Sequence, residues 1–119
     1  MRQETRKVAT AFVKRRRATA ARSATCGEVL YLHGNPIAWW DAEDGETLSV
    51  NFCGYPTPTT KDRLNGVFEL LGLGRPFFTK DHQLYFGSEL RPIDDRETLR
   101  IHLPTARRCR AVGSSLLAA

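Results

Sequence analysis

The chain has no apolar run approaching the roughly 20 residues that a membrane helix needs, and no apolar segment follows its N-terminal charges. Neither a membrane partner nor a secretory leader is therefore expected. Cysteine is scarce. Cys26, Cys53 and Cys109 are odd in number, far apart and free of any Cys-x-x-Cys spacing. They read as reduced thiols of an intracellular protein, with Cys109, near the C-terminus, the most oxidisable. The three histidines and three cysteines do not fall at ligand spacing, so no metal site is expected. Gly-x-Ser-x-Gly, the Walker loop, His-Glu-x-x-His and Gly-x-Gly-x-x-Gly are all missing. The adjacent acids Glu43-Asp44 and Asp94-Asp95 read as solvated turn residues rather than a metal-nuclease pair. No cofactor and no enzymatic activity are expected.

The ends of the chain also lack acid. Residues 1–22 hold eight Lys/Arg and one acid, a net +7, and residues 104–119 hold three arginines and no acid. Residues 23–103 hold seven basic and twelve acidic side chains, a net −5. The overall +5 thus hides an acidic body with two basic ends. Segregated charge of this kind marks an interaction segment more than a uniformly basic surface. The 119 residues suffice for one domain with a real core. The division expected is a basic N-terminal helix or arm over 1–22, a single α+β domain over 23–103, and a basic tail without ordered structure over 104–119.

Val8, Ala11 and Phe12 recur at helical spacing and predict a helix over residues 4–17. Lys14-Arg15-Arg16-Arg17 would form its cationic end, suited to the negative end of the helix dipole. Residues 18–27 have no strong period and read as a linker. Strand formers then predict strands at Glu28–His33, Ile37–Asp41 and Glu46–Phe52, with turns at Gly34-Asn35 and Asp44-Gly45. In the third strand Leu48, Val50 and Phe52 alternate with Thr47, Ser49 and Asn51, so one face is buried. Pro56 and Pro58 hold the next segment extended. Thr59 or Thr60 caps a helix that runs to Gly72, and Leu64, Val67, Phe68 and Leu71 form its apolar face. Further strands are expected at Arg75–Lys80, Gln83–Gly87 and Glu97–Leu103, with a loop over 89–95. The fold class is α+β: an antiparallel sheet of about five or six strands, packed by one central helix, with a short basic N-terminal helix.

Two sets of cations are candidate nucleic-acid contacts. Lys14, Arg15, Arg16, Arg17 and Arg22 are closely set. They stand first as a solvated helix end docked by Val8 and Phe12, and otherwise as a disordered arm or a set of phosphate ligands. An arginine-rich transit peptide also fits residues 1–25 on composition. Lys61 and Arg63 sit in the first turn of the central helix, where free N–H groups and the dipole favour an anion. Plain capping by Thr57, Thr59 and Thr60 accounts for the same residues, and Asp62 opposes an anion there. Trp39 and Trp40 are adjacent on a strand, so one faces the core and the other faces out. The outer one is free to stack on a base, to anchor a partner, or to pack under the N-terminal helix. Tyr55 is a third candidate for stacking or anchoring. Nothing resembles a recognition helix that reads bases, so DNA or RNA would be held mostly through its backbone.

The stretches Leu30-Tyr-Leu-His-Gly-Asn-Pro-Ile-Ala38, Gly54-Tyr-Pro-Thr57 and Thr59-Thr-Lys-Asp-Arg-Leu-Asn65 resemble a family of small bacteriophage and prophage proteins. Tyr55 stands where that pattern has tryptophan. The resemblance covers about residues 7–87 and transfers no activity. It implies a small accessory gene of a phage, acting in the host bacterial cytoplasm. Two classes of function follow as expectations. One is a non-enzymatic protein that binds nucleic acid or a nucleoprotein through its basic ends. The other is a protein–protein module that inhibits a host defence nucleoprotein or nuclease, as anti-CRISPR proteins do, with Asp41, Glu43, Asp44 and Glu46 imitating nucleic acid.

Overall fold

A computed structural model describes residues 1–87 and 90–111. Helix α1 (Gln3–Val13) is followed by strands β1 (Ala18–Ala20), β2 (Ser23–Thr25), β3 (Val29–Leu32), β4 (Asn35–Trp40) and β5 (Thr47–Val50). Helix α2 (Pro58–Leu70) comes next. Strands β6 (Phe77–Lys80), β7 (Gln83–Phe86), β8 (Arg91–Pro92) and β9 (Leu99–His102) follow, and α3 (Leu103–Ala111) continues directly from β9. The main sheet has six antiparallel strands in the order β1-β2-β3-β4-β5-β9, and β6-β7-β8 form a separate small sheet. The expected α+β architecture, a six-stranded antiparallel sheet packed against a central helix with an N-terminal helix beside it, is the one observed.

The alternation of each strand decides the faces. Leu30, Leu32, Ala38, Trp40, Leu48, Val50, Leu99 and Ile101 are buried on the inner side, in one cluster with Val8, Ala9 and Phe12 of α1 and Leu64, Val67 and Phe68 of α2. Helix α1 is therefore part of the core, while the basic run that follows it is exposed. Four phenylalanines, Phe52, Phe68, Phe77 and Phe86, meet at centroid separations of 5.1–6.0 Å and join the small sheet to α2. Asn65 completes that joint. Its amide donates to Phe77 O at 2.9 Å and accepts from Phe77 N at 2.8 Å, as a neighbouring strand would.

Several boundaries differ from the sequence expectation, each for a physical reason. Residues 18–27 are largely the β1–β2 hairpin, turned at Ala21 with φ +54. Their Ala, Ser and Thr side chains are poor strand signals, yet small size suits the place, because α1 lies across β1, β2 and β3. The first tight turn is His33-Gly34, with φ +52 and +80 and Leu32 opposite Asn35, not Gly34-Asn35. The central helix starts two or three residues earlier than expected. Thr57 is its N-cap, accepting from Thr60 N at 3.2 Å, and Pro58 takes the first helical turn where a missing N–H costs nothing. The N-terminal helix ends at Val13 rather than 17, because Arg15 turns left-handed at φ +60 and Arg16 N bonds back to Ala11 O at 2.7 Å. Leu103–Ala111 is helical where a tail was expected, anchored by buried Leu103 and Ala106. Residues 112–119 lie outside the described ones.

Candidate functional site

The left-handed turn at Arg15 sorts the basic run into one structural cation and several free ones. Arg15 lies over the Trp40 ring, its guanidinium carbon 3.8 Å from the centroid, and donates to Gly45 O at 2.6 Å. Partial burial lowers its pKa, and nearby Glu28 works the other way. The Arg15–Trp40 contact is a cation–π pair. It is reinforced by Phe12, which stacks on Trp40 at 5.2 Å, and by Trp40 Nε1, which donates to Phe12 O at 3.1 Å. Trp40 is thus the inward tryptophan, 6% exposed beneath the end of α1. Gly27 makes this turn feasible. It has φ +100, and a Cβ there would stand 2.7 Å from Arg15 O.

Lys14, Arg16, Arg17 and Arg22 are exposed, and their side chains have no partner among the described residues. Lys14, Arg16 and Arg17 follow one another around the turn, and Arg22 lies beyond β1 at the next turn. Lys61 and Arg63 do not join them. Lys61 Nζ donates to Thr79 Oγ1 at 2.7 Å. Arg63 is 2% exposed. Its Nε donates to Ser23 Oγ at 2.7 Å, its Nη1 donates to Thr5 Oγ1, and Asp62 Oδ2 lies 3.6 Å away. Burial lowers the Arg63 pKa, and the charges of Glu4 and Asp62 oppose that shift. This side chain ties α1, α2 and β2 together and is not presented to a phosphate. A first-turn arginine looks the same in sequence whether it faces solvent or a crossing helix, and only the packing of α1 settles it.

Asp62 is the counter-ion of that network. Burial works against its ionisation, but the hydroxyl of Thr5, the hydrogen bond from Arg75 and the charges of Arg2 and Arg75 outweigh it, and its pKa is lowered. Arg75 Nη2 reaches Asp62 Oδ1 at 3.0 Å and Thr5 Oγ1 donates to Asp62 Oδ2. Two acids at the second turn, Asp41 and Asp44, are also engaged. Asp41 accepts from the N–H groups of Glu43 and Asp44, and Asp44 accepts from those of Glu46 and Thr47. These carboxylates shape the turn before they could imitate a phosphate backbone.

Trp39 faces out. It is half-buried, opposite Val29 on one side and Ser49 on the other, and Ser49 is opposite Arg100. Tyr31, two residues from Val29 on the same strand, is on this outer face too and is 36% exposed. Beside it runs an open groove of about 450 Å³, lined by Arg17, Thr19, Ala24, Cys26 and Tyr31 among others. Backbone hydrogen bonds from the Glu28 and Val29 region lower the pKa of Cys26 at the groove edge. Tyr31 was not singled out from the sequence. Its signal was present in the alternation Leu30-Tyr31-Leu32, which puts two leucines in and the tyrosine out.

Tyr55 stands elsewhere. It is 57% exposed and lines a cavity of about 240 Å³ with His33, Asn35 and Thr57, closed below by the buried Leu32, Ile37, Phe52 and Thr60. The turn of the β3–β4 hairpin and the start of α2, far apart in sequence, meet there. Among the described residues no group of three or more His, Cys, Asp or Glu could hold a metal ion. No described helix is long and apolar enough to cross a membrane.

An α+β protein with a docked N-terminal helix, a basic turn after it and two aromatic side chains on the outer sheet face is the class these features define. The family described as Kyanoviridae Gp96 protein matches residues 1–100. The chain belongs to that bacteriophage family. No curated protein and no solved structure matches it.

Proposed function

We propose that this phage protein is a non-enzymatic nucleic-acid-binding accessory protein that works in the host bacterial cytoplasm. The reading rests on one observation. Arg15 is fixed on Trp40 and Gly45, and the turn so held leaves Lys14, Arg16 and Arg17 exposed and unpaired at one edge of the molecule. Cations without an ion-pair partner among the described residues, on a turn held at Arg15 rather than a free chain, suit phosphates at little ordering cost. Arg22 extends the set, whereas Lys61 and Arg63 are engaged internally.

Fluorescence anisotropy with labelled DNA and RNA oligonucleotides tests this. Three neutralised phosphates predict a loss of roughly twenty- to fortyfold in affinity between about 50 and 200 mM salt. The triple variant Lys14→Glu, Arg16→Glu, Arg17→Glu should lose most of the binding while melting as the parent does. Absence of any binding at the lower salt refutes the proposal.

A further inference from the structure

We infer that the nucleic acid is single-stranded and that it crosses the outer face of the six-stranded sheet, its bases stacked on Tyr31 and Trp39. This rests on the nucleic-acid reading above and adds the class of substrate and the surface it occupies.

Two aromatic side chains stand on one sheet face. Tyr31 is exposed, and Trp39 is half-buried with its indole N–H unpaired among the described residues. Val29 is directly opposite Trp39, and Tyr31 lies two residues along β3, across a bulge that sets it opposite Pro36, so the two rings stand on adjacent strands of one face. An extended single strand can lay neighbouring bases on them. A duplex hides its base faces in the stack and has no use for two such rings, whereas an unpaired strand offers one ring per nucleotide. The cations are placed to match. Arg17 lines the groove on the Tyr31 side. Arg100, 64% exposed and 3.3 Å from Asp41, ends the row Val29–Trp39–Ser49–Arg100 on the other. The five spacings of about 4.8 Å between six strands make this face about 24 Å wide from the β1 edge beside Arg17 to β9 with Arg100, a track for roughly four nucleotides, the low end of single-strand site sizes. Trp40 contributes nothing to this track. Alternation turns it into the core, and Arg15 and Phe12 cover it.

The test uses the full chain at low salt with a single strand, its complement and the annealed duplex, each read by anisotropy. Parent protein, Tyr31→Ala, Tyr31→Phe, Trp39→Ala and the Arg16→Glu/Arg17→Glu pair are compared. The single strand should bind at least tenfold tighter than the duplex. Loss of one stacked base is worth roughly a five- to hundredfold change in Kd. Tyr31→Ala should show it, and Tyr31→Phe should restore binding. The charge-reversed pair should weaken single strand and duplex alike. Oligo-dT and oligo-U distinguish the sugar, and a preference for either supports the inference. Trp39→Ala is checked for its fold by circular dichroism. Should it unfold, quenching of parent tryptophan fluorescence by the bound strand reports the same contact, since Trp40 is shielded. Equal binding of single strand and duplex, untouched by Tyr31→Ala, would overturn the inference, leave the nucleic-acid reading standing and point to a protein partner for this face. Failure to bind any nucleic acid would overturn both.

Discussion

Gly66 is the place where a one-methyl change separates helix propensity from packing. It lies inside α2, where glycine costs about 1 kcal/mol relative to alanine. On propensity alone, Gly66→Ala should therefore stabilise the protein. The crossing of α1 over α2 reverses that expectation. A Cβ on residue 66 would stand 2.4 Å from Cγ2 of Thr5, while Ala9 Cβ at 3.7 Å and Met1 Sδ at 3.6 Å are in ordinary contact. Thr5 is fully buried and cannot turn away freely. Its hydroxyl donates to Asp62 and accepts from Arg63, so rotating the methyl also moves the oxygen. Overpacking of a tight core costs about 1–3 kcal/mol, and each hydrogen bond disturbed adds about 1 kcal/mol. Set against the propensity gain, the net expectation is a destabilisation of about 1–3 kcal/mol. For a chain of this size that is a fall of roughly 4–12 °C in Tm. Urea unfolding followed by circular dichroism measures it directly. Thr5→Ser removes the clashing methyl and keeps the hydroxyl, so Gly66→Ala in that background should be neutral or stabilising. The coupling between the two sites should then be at least about 1 kcal/mol. A Gly66→Ala protein as stable as the parent, or additive single effects, would refute the reasoning.

Two further outcomes follow from the same architecture. Because the Asp62 pKa is lowered in the folded state, its contribution to stability is fully present above the ordinary aspartate value near 3.9. It is lost as pH falls through the lower folded pKa. Urea unfolding of the parent and of Asp62→Asn should therefore show a stability gap at pH 7 that narrows below about pH 4, and a gap that widened in acid would contradict the assignment. Gly27→Ala brings a Cβ against the Arg15 carbonyl, which is backbone and cannot swing aside. It should lower stability by about 1–3 kcal/mol and raise amide exchange at Arg16, and unchanged exchange there would argue against a rigid basic turn.

Much of the fold was legible in the chain itself. The alternation Leu99-Arg-Ile101 specifies which side of a strand is buried, because a strand has period two whatever surrounds it, whereas in β5 Thr47 and Ser49, expected on an open face, are buried as well as Leu48 and Val50. The proline-held entry, threonine cap, apolar stripe and terminal glycines likewise specified the central helix to within a few residues. The charge split showed where positive potential concentrates. Other features carry no local signal. The hairpin over Ala18–Thr25 is written in small residues of low strand preference, and it exists because β3 pairs with one side of it and α1 lies across it. The fates of Arg15, Arg16 and Arg17 cannot be told apart by residue type. A left-handed turn and a tryptophan from β4 select the first as an anchor and leave the other two exposed. Arg63 looked like an anion ligand at a helix start until a second helix crossed over it. Pattern along the chain thus determined the elements and their inner faces, since those depend on local geometry and periodicity. Tertiary packing decided which charges are buried, which tryptophan is exposed and which surface is open, since those depend on what arrives from distant parts of the sequence.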